Sequence, residues 1–191
     1  MNENERYIKE IRSRLSDYRF NHSLNVADTA RALAEKYGAD PEKAYTAGIL
    51  HDILKDMPKD ELFEYTLKCF PCMTQLERVT PKLWHAMAGS EFIRRELAVV
   101  DSEIISAVRR HTTGCAGMST LEKVLFIADF ISADREYDGV ERMREKAKIS
   151  LETAMEEGLQ FTVCELCGKL SPVHPDTLEA YNEIVLKGKV L

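Results

Sequence analysis

The sequence lacks a long hydrophobic run: its longest unbroken apolar stretch, Val124 to Ala128, is far too short to span a bilayer. The opening Met-Asn-Glu-Asn-Glu-Arg-Tyr carries no apolar signal core, so a soluble cytoplasmic protein is expected, with no membrane among its partners. It also lacks an excess of basic residues. With 26 Lys plus Arg against 32 Asp plus Glu, the formal charge is -6, which does not advertise the basic face of a nucleic-acid binder. An anionic substrate would therefore need its counter-charge from a metal or from a few placed cations. Cysteine is sparse and odd in number, five in 191 residues, which favours reduced thiols over a disulfide scaffold. There is no internal repeat, low-complexity tract or linker long enough to divide the chain, and no convincing alternation of the strand type.

What is present is helical periodicity almost throughout. Helices are expected over Arg6 to Leu15, from around Arg19–Asn21 to Tyr37 with Gly38 as the stop, and from the Asp40-Pro41 cap through Leu54. Lys59 to Lys68 follows, then an irregular stretch to Thr80. Thr80-Pro81 repeats the cap-and-proline signal ahead of a helix ending near Leu97, and Asp101 caps another through His111. After a loop from Thr112 to Ser119, Ser119 and Glu122 form a capping box for the helix that carries Val124 to Ile131. Two or three further helices cover Val140 to Leu170 and Pro175 to Lys187. The expectation is one all-α domain over 1–191, with a core region of 18–135 and C-terminal helices of 139–188 packed on it.

The informative polar residues sit on apolar stripes. His22 shares a helix face with Val26, Ala30 and Leu33; His51 continues Ala44 and Ala47; His85 lines up with Ala88 and Phe92; His111 lines up with Ile104, Ala107 and Val108. Asp129 lies within Leu-Phe-Ile-Ala-Asp-Phe-Ile, and Asp52 follows His51. Any one of these histidines is ordinary as a half-buried core residue. Four of them, with a carboxylate set in an apolar run and no Lys or Arg immediately beside it, point to a metal, because a buried carboxylate must be paired or must coordinate. His and Asp ligands from several helices suit a transition metal with open positions that activates water. Lys55, one turn beyond His51 and Asp52, projects to the same side as a phosphate-holding cation, or is simply a solvated charge.

The ordered set His22, His51-Asp52 and Asp129 resembles the H…HD…D signature of the HD-domain metal-dependent phosphohydrolases, whose fold is a helical bundle. His85 and His111 resemble the extra pair of subfamilies with an expanded site. The segments Arg19 to Leu24, His51 to Lys55, His111 to Gly114 and Ala128 to Ile131, with Arg135, Gly139-Val140 and His174 to Glu179, resemble the YqeK family of bacterial symmetrical diadenosine tetraphosphate hydrolases. The resemblance runs from about Tyr18 to Asn182. It implies His22, His51, Asp52 and Asp129 as metal ligands, with iron as the metal and manganese or cobalt as alternatives. One ion is implied, or two if His85 and His111 hold a second. It implies Asp52, Lys55, His85 and His111 in catalysis. Arg19, His85, His111, Thr112, Asp129, Arg135, Val173, His174, Asp176 and Thr177 would lie at a dinucleoside polyphosphate substrate or nucleoside diphosphate product. A homodimer is left open. Other HD chemistries, nucleotide monophosphatase or guanosine tetraphosphate hydrolase, share the ligands, and an inactive nucleotide-binding regulator is a rival of another class. Family members often carry an acidic residue and a proline between the helical aspartate and its arginine; here the run reads Ser132-Ala133-Asp134-Arg135.

Two CxxC pairs, Cys69/Cys72 and Cys164/Cys167, have half-site zinc spacing but stand far apart in sequence. Trp84 could stack on a base; a core indole is the simpler reading. The mixed charges of Glu141 to Lys146 read as a solvated helix face.

Overall fold

The computed structural model describes residues 3–187; residue 188, where the last helix was expected to end, lies outside them. The described residues are helical, with no strand among them. The helices are α1 (Glu3–Arg14), α2 (Asp17–Tyr37), α3 (Pro41–Leu50), α4 (Lys59–Cys69), α5 (Gln75–Val79), α6 (Pro81–Arg95), α7 (Ser102–Arg110), α8 (Thr120–Ile131), α9 (Val140–Ile149), α10 (Leu151–Gly168) and α11 (Pro175–Lys187). None of them is long and apolar enough to cross a membrane.

Local chemistry sets most boundaries. Asp40 accepts from the amides of Glu42 and Lys43, Asp101 from those of Glu103 and Ile104, and the Ser119–Glu122 capping box is reciprocal. Gly38, at φ 77°, ends α2 with its amide on the Ala34 carbonyl.

Four expectations are corrected. α2 begins at Asp17, earlier than expected, because Asp56 accepts from both the Ser16 amide (2.8 Å) and hydroxyl (2.7 Å) and anchors its entry. α3 ends at Leu50 rather than Leu54: His51 Nδ1 donates to the Gly48 carbonyl at 2.7 Å, taking the acceptor that the Asp52 amide would use in a continuing helix. The chain then winds through tight turns, with Ile53 N on Leu50 O and Lys55 N on Asp52 O. The stretch expected to be irregular contains α5, started by a Thr74–Glu77 capping box. Thr80 precedes Pro81 but makes no side-chain cap.

The centre is the α2–α3 pair, against which α8 and α7 pack. Ala27 and Ala30 on α2 and Ala44, Ala47 and Gly48 on α3 are buried there, small enough for backbones to close in. A Cβ on Gly48 would lie 2.4 Å from the Ala27 Cα, so only glycine permits this approach. It brings His22 on α2 and His51 at the end of α3 to one interior point. α8 runs alongside with Leu125, Phe126 and Ile127 buried and Asp129 turned to the same point. Trp84 is buried, with its indole N–H donating to the Glu77 carbonyl at 2.7 Å.

Candidate metal and phosphate centre

Six of the proposed side chains converge. His22 Nε2 lies 3.0 Å from Asp129 Oδ1, and His51 Nε2 lies 3.9 Å from that same oxygen and 3.7 Å from Asp52 Oδ2. His85 Nε2 and His111 Nε2 stand 3.2 and 3.6 Å from Asp52 Oδ1, and 3.1 Å from one another. Among the described residues, two overlapping groups have donor atoms close enough together to hold an ion: His22, His51 and Asp129, and His51, Asp52 and His111.

The backbone selects the tautomers. His51 Nδ1 and His111 Nδ1 each donate to the carbonyl three residues earlier, Gly48 and Val108, both at 2.7 Å. Each ring thereby presents an Nε2 lone pair to the centre, which is how a metal-binding imidazole is oriented. Both histidines sit where a helix ends, so the same device is built twice.

His22 uses a different orienting partner, one that local sequence reasoning did not assign. Its Nδ1 donates to Asp134 Oδ2 at 2.8 Å, while Asn25 Nδ2 steadies the other Asp134 oxygen at 3.2 Å. Its only signal in the sequence was the acidic residue shifted to 134 in the run before Arg135.

Whether these residues fit a metal is answered by two atoms. His51 Nε2 and Asp52 Oδ1 are buried and have no hydrogen-bond partner. Leaving a buried lone pair and a carboxylate oxygen unsatisfied costs free energy that a cation between them would recover. The donors are nitrogen and oxygen with no thiolate, a set for a divalent transition metal. The residues fit.

The electrostatics agree. Burial pushes the His51 and His85 imidazoles down to about 4, against the pull of Asp52, so both are neutral bases at physiological pH. Burial alone would also depress His22, but the hydrogen bond and charge of Asp129 outweigh it and raise the imidazole above its usual value. Asp52 and Asp129 are held well below the usual carboxylate range: burial opposes this, and the surrounding imidazoles, with Arg135 beside Asp129, overcome it.

The cations form a rim. Lys55 Nζ lies 3.0 Å from His85 Nε2 and 3.4 Å from Asp52 Oδ1, and Arg19 Nη1 lies 3.4 Å from Asp52 Oδ2. Arg135 donates through Nε to the Asp129 carbonyl at 2.7 Å and pairs through Nη2 with the Asp129 carboxylate. No Lys or Arg stands immediately beside Asp129, as the sequence indicated; its cation comes six residues later, from the turn after α8. The Thr112 hydroxyl completes the edge, 3.2 Å from His111 Nε2.

From this centre a cavity of about 320 Å³ extends between the α8, α10 and α11 side of the molecule and α6. Lys55, His111, Thr112, Asp129 and Arg135 are among its polar lining, and Phe130, Leu166, Leu83 and Pro172 among its apolar lining. His174 and Thr177 also reach it, but Thr177 is buried and donates to the Thr113 carbonyl at 2.8 Å, clasping α11 to the His111 turn. Asp176 pairs with Arg110, and neither it nor Val173 lines the cavity. Cys69 and Cys72 edge a separate surface cavity with Pro71 and Met73, and Cys164 and Cys167 are exposed on α10. No cysteine joins the ligand groups among the described residues.

The family model of the HD domain matches residues 19–134, the span that contains His22, His51, Asp52 and Asp129. The chain belongs to the HD-domain family. Two relatives cover nearly all of it. One is the symmetrical bis(5'-nucleosyl)-tetraphosphatase of Bacillus subtilis, 38% identical over 92% of this chain and 94% of that protein. The other carries the same name in Halalkalibacterium halodurans and is 36% identical over 95% of this chain and 97% of that protein. Among solved structures, a predicted HD superfamily hydrolase involved in NAD metabolism from Clostridium acetobutylicum superposes with a TM-score of 0.92 at 31% identity, covering 96% of this chain and 97% of that one. This HD chain is therefore similar to those proteins from end to end rather than through its core alone.

Proposed function

We propose that this HD protein hydrolyses dinucleoside tetraphosphates, cutting diadenosine tetraphosphate in the middle to give two ADP. What carries the reading is the near full-length similarity to two relatives named for that activity, joined to a centre with unsatisfied ligand atoms beside a cationic cavity. His22, His51, Asp52 and Asp129 hold a divalent ion, for which iron is our assignment, and His85 and His111 hold a second where two are bound. Such an ion supplies Lewis acidity toward water and a phosphoryl oxygen.

The protein's own groups do the rest. Arg135 pairs with Asp129 in the structure; with a cation neutralising that carboxylate, its guanidinium would be free to turn its planar fork to a phosphoryl group. Lys55 and Arg19 offset charge that grows on the bridging and leaving oxygens. Lys55, hydrogen-bonded to His85, is the nearest ammonium able to hand a proton to the departing ADP. Thr112 and the His174 segment position one nucleoside diphosphate in the cavity, and the C-terminal helices belong to the same domain, whose setting is the cytoplasm.

A nucleotide panel tests this. Diadenosine tetraphosphate should be turned over in preference to nucleoside monophosphates and guanosine tetraphosphate, with loss of metal and turnover together in Asp52→Ala. Preference for either of the other classes, or normal metal content and turnover in Asp52→Ala, overturns the assignment.

A further inference from the structure

A substrate cut at the centre of its tetraphosphate bridge leaves the metal centre in two directions, with a nucleoside at each end. The cavity accounts for one of them. At about 320 Å³ it lies at the small end of ligand pockets and suits one nucleotide half. The second nucleoside must leave along a flank that this cavity does not include.

That flank is the start of α2. Neither His22, Arg19 nor Tyr18 lines the cavity, although His22 and Arg19 touch the centre through Asp129 and Asp52. Tyr18 lies one helical turn before His22, on the same face, so its ring sits between the ligand cluster and solvent. The two rings are nearly parallel, 6° apart with centroids at 6.4 Å. The outer side is open: Tyr18 is 58% exposed, whereas Trp84 is buried and hydrogen-bonded. The Arg19 guanidinium lies 5.6 Å from the Tyr18 ring centroid. An exposed, flat aromatic with a guanidinium beside it at the edge of a phosphate centre is the composition that binds a nucleotide: the ring takes a base face and the cation takes the phosphates leading to it.

We propose that Tyr18 is the stacking platform for the second nucleoside of the dinucleoside tetraphosphate, with Arg19 beside it holding the phosphates of that half. The inference rests on the function proposed above. It makes Tyr18 a binding residue that favours substrates with a base at both ends over mononucleotides with the same number of phosphates. Because stacking is indifferent to which base is present, the second position tolerates any nucleobase.

The test compares the metal-loaded parent with Tyr18→Ala, Tyr18→Phe and Tyr18→Trp. KM and kcat are measured for diadenosine tetraphosphate, and Kd by calorimetry for its methylene-bridged, uncleavable analogue and for adenosine 5'-tetraphosphate, which lacks the second nucleoside. Loss of a base–aromatic stack should raise KM and the analogue's Kd about tenfold in Tyr18→Ala, with kcat little changed. The affinity for adenosine tetraphosphate should stay within about twofold, and Phe and Trp should restore the parent values. Equal weakening of both ligands in Tyr18→Ala would mean that Tyr18 acts only through His22, and overturns the inference. So do a KM and an analogue Kd that stay unchanged in Tyr18→Ala while the parent makes ADP. A parent that makes no ADP overturns the functional reading, and the second-nucleoside site with it.

Discussion

Asp134 is the residue whose removal asks most about how the centre is built. Its carboxylate accepts the His22 Nδ1–H at 2.8 Å and is itself steadied by Asn25, so it fixes which nitrogen of His22 carries the proton. In Asp134→Ala the ring loses that partner and can rotate or take the other tautomer, which would aim an N–H instead of a lone pair at the ion. In Asp134→Asn the shape is kept but the charge is lost, and an amide turned the wrong way demands the wrong tautomer outright. Partners of this kind are worth about 10- to 100-fold in metal affinity, which corresponds to roughly 1.4 to 2.7 kcal/mol. Asn25→Ala removes only a 3.2 Å bond to the partner and should cost a few-fold at most. The assay is competition for iron or manganese between the metal-stripped protein and a chelator of known affinity, with urea unfolding as the control for general damage. Metal affinity in Asp134→Asn and Asp134→Ala within about twofold of the parent would refute the orienting role.

Arg135→Ala should keep its metal at saturation, because guanidinium is no ligand, yet lose nucleotide affinity and turnover by about 10- to 100-fold, a charge-assisted contact's worth. Arg135→Lys should recover only part, since an ammonium cannot reproduce the fork; titration with ADP alongside turnover checks both. Gly48→Ala places a Cβ against the Ala27 backbone, so it should destabilise the fold by about 1 to 3 kcal/mol in urea and weaken metal binding by parting His22 from His51. In the metal-stripped protein, stability should fall as the pH drops from about 6.5 toward 4, because the unfolded chain protonates its histidines near 6.5 while His51 and His85 resist to about 4. Each contributes up to about 1.4 kcal/mol per pH unit, partly opposed by His22, whose raised value favours the folded state at low pH; a flat urea midpoint across that range would contradict the burial of the two imidazoles.

Much of this architecture is written in local sequence. Asp40, Asp101 and the Ser119–Glu122 box mark helix starts because a cap is a contact between residues two or three apart. The histidines stand out because periodicity reveals a polar group on an apolar face wherever its partners are. What escapes such reading is pairing across the fold. Asp134 meets His22 from 112 positions away, a pairing that local periodicity does not reveal. Arg135 reaches Asp129 only because the chain turns back after α8, so a search among immediate neighbours stops short. The end of α3 was missed for a related reason: His51 was read as a side chain on a face, whereas its Nδ1 takes a backbone acceptor and ends the helix that presents it. Thr80 shows the converse, a cap signal followed by proline with no cap bond made.

The central claim, symmetrical hydrolysis by residues gathered around a metal, meets its most direct test in the products formed in ¹⁸O-enriched water. The iron-loaded protein, purified without oxygen and given diadenosine tetraphosphate, should release ADP alone, with one labelled oxygen on the terminal phosphate of half of the molecules. Prior removal of the metal should abolish the release. ATP and AMP as products, or ADP release that survives full removal of the metal, would contradict the account.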